Sequence, residues 1–363
     1  MDQERHRHVF PLLHGRHSSH RHRQQPRERV PRAGTPPRVA RLADVTPERR
    51  LHVVSGKGGT GKTTVAAALA LALADEGRRT LLVEVEGRQG IAQLFETEAL
   101  PYEERRIAIG PGGGEVYALA IDAERALLDY LQMFYKLGGA GRALRRIGAI
   151  DFATTIAPGL RDVLLTGKAC EAARRRGPDG GFVYDAVVMD APPTGRITRF
   201  LGVNHEIAGL ARMGPIHHQA QAVMRVLKSA ETAVHLVTLL EEMPVQETAD
   251  GIAELRAAEL PVGAVVVNMV RPPTPVQARA PADVDRDALA GSLRAAGLRD
   301  AERLVGPLLA EGAAQAERLA LEAGQRAELA DLGLPVRELP LLVDGADLAG
   351  LYRQARRLRE HPW

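Results

Sequence analysis

The feature that most constrains this chain is a junction. The apolar run "LHVVS" (51–55) feeds directly into the glycine-rich turn "GKGGTGKTT" (56–64), which opens an alanine-rich helical segment over 62–76. A short, continuous β-branched run of this kind fits a strand buried on both faces, and such strands belong to parallel sheets. The pattern then recurs. "RTLLVEV" (79–85), "VYALAID" (116–122), "VYDAVVMD" (183–190), "TAVHLVTLL" (232–240) and "PVGAVVVN" (261–268) read as further strands separated by helical stretches. A last strand is expected over 335–339 and a closing helix over 347–360. The expected class is α/β, a mostly parallel sheet with helices on both faces.

Two segments interrupt the alternation. Residues 123–178 hold several helical pieces with no strand between them, which fits a helical insertion on one side of the sheet. Residues 271–283, "RPPTPVQARAPAD", form a proline-rich loop leading into a largely helical stretch, 285–332. Residues 1–50 carry twelve arginines against five acids, a net of +7, leaving −4 for the rest of a chain whose total is +3. With prolines at 26, 31, 36, 37 and 47 and no apolar periodicity, residues 1–47 read as a disordered basic tail. The expected organisation is therefore that tail followed by one domain, 48–363. The single cysteine, Cys170, excludes an internal disulfide and any cysteine-built metal cluster within one subunit. No apolar run reaches the ~18 residues of a membrane span, and a reducing cytoplasm fits the composition.

The turn itself matches G-x-x-x-x-G-K-[ST] through Gly56, Gly61, Lys62 and Thr63, between a strand and a helix as a phosphate-binding P-loop requires. Gly56, Gly58, Gly59, Thr60 and Gly61 let backbone N–H groups turn inward around phosphate oxygens, with Thr64 in the first turn of the helix. Lys62 is placed to reach the β- and γ-phosphates of ATP, and the Thr63 hydroxyl to ligate Mg²⁺. The chain writes its 48 positive side chains almost entirely as arginine, with only five lysines, and two of these stand five residues apart in this one turn. A compact ammonium fits inside a wrapping backbone loop where a planar guanidinium does not.

The second lysine, Lys57, makes "GKGGTGKTT" resemble the deviant phosphate loop of the MinD/ParA/ArsA class of ATPases. That resemblance implies a lysine that reaches the nucleotide of the facing subunit, so hydrolysis depends on a dimer. A longer stretch, "DAPPTGRITRFL" (190–201), resembles the D-T-A-P-T-G-H-T-L-R motif of the ArsA-like branch. That branch includes the arsenite-pump ATPases and the ATPases that target tail-anchored membrane proteins. By this resemblance Asp190 holds Mg²⁺ through water and Pro193, Thr194 and Gly195 belong to the second switch. Asn268, at the end of "VVVNMV", corresponds to the family's adenine-binding asparagine, and Pro340 in "LPLL" (339–342) to its adenine-face loop. The similarity spans roughly residues 50–360.

Departures from the family pattern qualify the expected function. Aligning "LLVEVEGRQGIAQLF" (81–95) puts Glu86 where the family has a water-orienting aspartate, with Gly87 replacing a proline. The extra methylene moves the carboxylate by about 1 Å, an offset that can cost ~10²-fold in rate. Glu84, two residues earlier and still within the strand, is expected to lie outside the chemistry. One cysteine rules out a thiolate cluster for arsenite, and no C-x-x-C pair is present for zinc. The insertion offers Leu127, Leu128, Leu131, Met133, Phe134, Tyr135 and Leu137 toward a client groove, with a single methionine among them. The expected function is a Mg²⁺-ATP-dependent ATPase, homodimeric or paired with a paralogue, that acts on a protein or membrane partner. The alternatives are a MinD/ParA-type positioning ATPase, for which the 347–363 helix would lie on a membrane, and a nucleotide-gated subunit that does not hydrolyse. No nucleic-acid partner is expected, because the basic segments lack interleaved aromatics.

Overall fold

The computed structural model describes residues 49–75, 77–135, 159–210, 215–271, 284–343 and 345–360. The N-terminal segment 1–47, residues 136–158 of the expected insertion and most of the proline-rich loop lie outside the described residues, as do the side chains of residues 130–137.

Eight strands form one sheet: β1 (Leu51–Gly56), β2 (Arg79–Glu84), β3 (Arg105–Ile109), β4 (Glu115–Ala120), β5 (Ala186–Asp190), β6 (Thr232–Thr238), β7 (Val262–Val270) and β8 (Val336–Pro340). Their spatial order is β3-β4-β2-β5-β1-β6-β7-β8. Every neighbouring pair is parallel except β3 and β4. The antiparallel β3 has no counterpart among the runs read from the sequence. It is short, bulged between Arg106 and Ala108, and half-exposed, so it lacks the apolar continuity that marks the central strands.

Between the strands run α1 (Lys62–Leu73), α2 (Gly90–Leu94), α3 (Ala123–Tyr135), α4 (Leu160–Arg174), α5 (Thr194–Leu210), α6 (Pro215–Leu227), α7 (Glu242–Ala257), α8 (Arg286–Ala295), α9 (Ala301–Asp331) and α10 (Leu348–Arg359). Successive strand residues point to opposite faces, so each buried run feeds two cores. Leu51, Val53, Leu81, Val83, Val187 and Met189 pack on one face with Leu165 of α4, Phe200 of α5 and Ile252 of α7. Val54, Leu82, Val188, Val237 and Val266 pack on the other with α1 and with Leu351, Ala355 and Leu358 of α10.

That second layer settles the C-terminal helix. α1 is buried continuously from Val65 to Ala72, apolar all round, and therefore needs cover on its outer side. α10 supplies it. Asp347 caps α10 by accepting the Gly350 N–H at 2.6 Å, and Arg359 donates to Asp75 just beyond α1. Its apolar stripe is spent on α1, so the expected membrane-surface alternative for this helix fails on packing. Among the described residues no helix is long and apolar enough to cross a membrane.

Candidate functional site

The C-terminal ends of the central strands converge. Glu84 of β2 lies in register with Asp190 of β5, and Val54 of β1 with Asp190 on the other side. In open α/β sheets, ligand chemistry gathers at strand ends where connections diverge to opposite sides of the sheet.

The glycine turn leaves β1 at Gly56 and enters α1 at Gly61. A Cβ on Gly61 would lie 2.4 Å from Asn268 Nδ2, and its φ of 83° falls in the left-handed region. The turn is closed on itself, since the Thr60 hydroxyl donates to the Lys57 carbonyl at 2.8 Å. It is also tied to the sheet: Asn268 Nδ2, at the end of β7, donates to the Thr60 carbonyl at 2.9 Å. Asn268 is buried, and Pro340 ends the neighbouring strand β8, so the two residues expected around adenine stand on adjacent strand ends. α1 begins with no side-chain cap and no acidic residue in its first turn. Its first N–H groups, beside Lys62, Thr63 and Thr64, therefore favour an anion.

Thr63 and Asp190, 127 residues apart in sequence, meet here. The Thr63 hydroxyl donates to Asp190 Oδ2 at 2.7 Å, while the buried Asp190 Oδ1 has no partner among the described residues. Burial pushes the Asp190 carboxyl up to about 6. The Thr63 hydroxyl and the Lys62 charge oppose the rise, and the charges of Glu84 and Glu86 add to it. A buried carboxylate with an idle oxygen beside a threonine hydroxyl suits a hard divalent cation, so these donors fit Mg²⁺.

Three contacts surround this pair. Ser55 Oγ donates to the Pro192 carbonyl at 2.6 Å, tying β1 to the "APPTG" segment. Thr194 opens α5 with a buried hydroxyl that has no partner among the described residues, and its methyl occupies the space where a Cβ on Gly251 of α7 would fall, 2.3 Å away. One turn earlier on α7, Glu247 accepts a hydrogen bond from Lys57 Nζ in an ion pair. The lysine expected to act on a facing subunit is thus held within its own chain here, an arrangement no sequence spacing signals across 190 residues.

The loop after β2 carries Glu86, whose carboxylate is part-exposed and 3.6 Å from Arg88. Glu84 is the residue that sequence reasoning set aside. Its carboxylate is buried and accepts N–H groups of Gln89 at 2.5 Å and Ile91 at 3.1 Å, which fastens the loop to the strand that launches it. The available signal was a glutamate inside the otherwise apolar run "LLVEV", since a fully buried carboxylate needs donors.

A parallel sheet, an uncapped helix behind a glycine turn and a hydroxyl–carboxylate pair at the next strand end define the P-loop nucleoside-triphosphatase class. The match is closer than class. A family model described as anion-transporting ATPase matches residues 49–230. ATPase BagA of Mycobacterium tuberculosis (strain H37Rv) is 53% identical over 315 residues, covering 86% of this chain and 93% of that protein. ATPase GET3 of Eremothecium gossypii is 23% identical over 273 residues, 63% of this chain and 77% of that one. The arsenical pump-driving ATPase of Escherichia coli is 26% identical over 250 residues, 61% of this chain and 39% of that one. This chain belongs to the anion-transporting ATPase family, the ArsA-like ATPases.

Proposed function

We propose that this ATPase binds Mg²⁺-ATP in the 56–64 turn and hydrolyses it as a dimer, with Lys57 of each subunit serving the nucleotide of the other. The observation that carries this reading is the Thr63–Asp190 pair beneath the turn, with a buried carboxylate oxygen left over for a cation shell. Thr63 and Asp190 would hold Mg²⁺, which when bound supplies charge neutralisation between the β- and γ-phosphates. The backbone of 56–64 and Lys62 hold the phosphates, while Asn268 and Pro340 flank the adenine. Glu86 orients the attacking water. Lys57 must leave Glu247 to act in trans, so nucleotide binding and dimer closure are coupled to a contact on α7.

Output travels through α5. Its first residue, Thr194, sits in the notch at Gly251 of α7, so a shift of α7 is felt at the start of the helix that leads toward α6. The partner is a protein or membrane component in the cytoplasm, and no nucleic acid is involved. By composition, residues 1–47 form a basic tail and residues 48–363 the ATPase domain. The reading does not extend to arsenicals, because burial pushes the single thiol, Cys170, up to about 12 and leaves no thiolate to bind one. Glu86 in place of an aspartate, part-exposed beside Arg88, favours slow turnover. It also leaves room for a heterodimer in which a paralogue supplies the faster site. A MinD/ParA-type positioning role is the weaker reading, since α10 is packed on α1.

Steady-state hydrolysis against protein concentration tests this for the wild type, Lys57→Ala and Glu86→Asp. Turnover that rises with concentration, is lost in Lys57→Ala and changes in Glu86→Asp is expected. Turnover independent of concentration, or retained in Lys57→Ala, would overturn the dimer-dependent reading. ATP binding without turnover in the wild type, with turnover gained in Glu86→Asp, would make this chain the nucleotide-gated subunit.

A further inference from the structure

The loop from Val85 to Gln89 turns back on itself through Gly87, at φ 68°, and Gln89, at φ 57°. A left-handed non-glycine residue costs roughly 1–2 kcal/mol and persists only where its surroundings over-determine it. Gln89 is over-determined. Its N–H donates to Glu84 Oε1 at 2.5 Å, its side-chain Oε1 accepts the Leu100 N–H at 2.7 Å, and its Nε2 donates to the Leu100 carbonyl at 3.3 Å. Two residues on, the Ile91 N–H donates to Glu84 Oε2 at 3.1 Å. Both oxygens of one buried carboxylate are therefore committed to the far end of the loop, while the near end is continuous with β2.

The consequence lies at the site. With 89–91 held down, Gly90 rests against Thr63, where a Cβ would approach the Thr63 methyl to 3.3 Å. Glu86 sits in the span between the two fixed ends. Among the described residues its ion-pair partner is the exposed Arg88 at 3.6 Å, too weak to hold a carboxylate in one place. We propose that Glu84 is the positioning residue of this loop: it does not touch nucleotide, but its two backbone hydrogen bonds hold Glu86 in reach of the attacking water and keep Gly90 on Thr63. This deepens the reading of Glu86 given above and rests on it. A loop whose ends are pinned by its own strand loses little entropy on closing over substrate, so the effect falls on kcat rather than on nucleotide affinity.

The test uses the full-length chain with Glu84→Gln, Glu84→Ala, Glu86→Ala and the double variant Glu84→Ala/Glu86→Ala. Glu84→Gln keeps the shape and one acceptor but turns an NH₂ toward the second N–H, so it probes the anchor even where Glu84→Ala folds poorly. A fall in kcat of about tenfold or more is expected in Glu84→Gln, with KM for ATP held within about threefold. The double variant should be no slower than Glu86→Ala alone, because the anchor acts through Glu86. Hydrogen exchange at the Gln89 and Ile91 amides should accelerate in Glu84→Gln. Unchanged kcat in Glu84→Gln despite faster exchange would overturn the proposal, as would losses that simply multiply in the double variant. Full turnover in Glu86→Ala would instead remove Glu86 from the chemistry. That outcome would overturn the part of the proposal that acts through Glu86, and a selective kcat loss in Glu84→Gln would then support only the hold on Gly90 against Thr63, with no loss overturning that as well.

Discussion

Acid should unfold this protein through a pair of histidines far from the phosphates. His52 on β1 and His235 on β6 are fully buried and bonded Nδ1 to Nε2 at 3.1 Å. The Ala264 N–H donates to His235 Nδ1 at 3.1 Å, so the neutral ring carries its proton on Nε2 and donates it to His52 Nδ1. His52 Nε2–H then donates to the Arg49 carbonyl at 3.3 Å. A proton added to either ring would face a donor already in place. Burial accordingly lowers His52 from 6.5 to about 4 and takes His235 well below its ordinary value. Both folded values lie below the unfolded one, so the native state binds fewer protons and stability falls as pH drops through that window. For His52 the fall from 6.5 to about 4 amounts to about 3 kcal/mol, at 1.36 kcal/mol per pH unit. Asp190, raised to about 6, works in the opposite direction, gaining stability as it protonates. The measurement is therefore a difference between two proteins. Urea unfolding of wild type and His52→Leu should be compared from about pH 7.5 to about pH 4. At the upper end the variant is weaker by ~1–3 kcal/mol, because the His235 N–H loses its acceptor. Toward the lower end wild type should lose about 3 kcal/mol more than the variant, and the two curves should cross. Parallel curves would refute the reasoning.

Asn268→Ala removes the donor that ties the phosphate turn to β7, and nucleotide affinity measured by calorimetry should weaken by about fivefold, the ~1 kcal/mol of one net hydrogen bond. Glu247→Gln releases Lys57 from a part-exposed ion pair. Stability should move by less than ~0.5 kcal/mol, while hydrolysis at low protein concentration should rise if Lys57 works across a dimer. Gly251→Val drives side-chain atoms into Thr194, and a loss of ~1–3 kcal/mol in unfolding free energy with slower turnover is expected. Leu351→Ala opens a cavity between α10 and α1 and should cost ~2–5 kcal/mol in urea unfolding. Its co-sedimentation with vesicles should match wild type, because that leucine faces protein.

The sequence by itself determined what depends on near neighbours. Continuous apolar runs specify strands buried on both faces, and the order strand, glycine turn, helix specifies a phosphate-binding turn, because those constraints act over a dozen residues. Asp190 and Asn268 stand at the ends of β-branched runs, but their roles came from the resemblance to the ArsA-like family and not from the local pattern. The edge strand β3 escaped it, since a short, half-exposed strand carries no such pattern. Only the tertiary structure decided the long-range contacts. Asn268 holds Thr60 from 208 residues away, Glu247 holds Lys57 from 190, and His52 reads His235 from 183. Glu84 shows the limit at short range. Alternation assigned it a face of β2, but whether that face met solvent or the turning loop depended on where residues 89–91 came to rest. A buried carboxylate is stable only where donors converge on it, and convergence is a property of the folded chain.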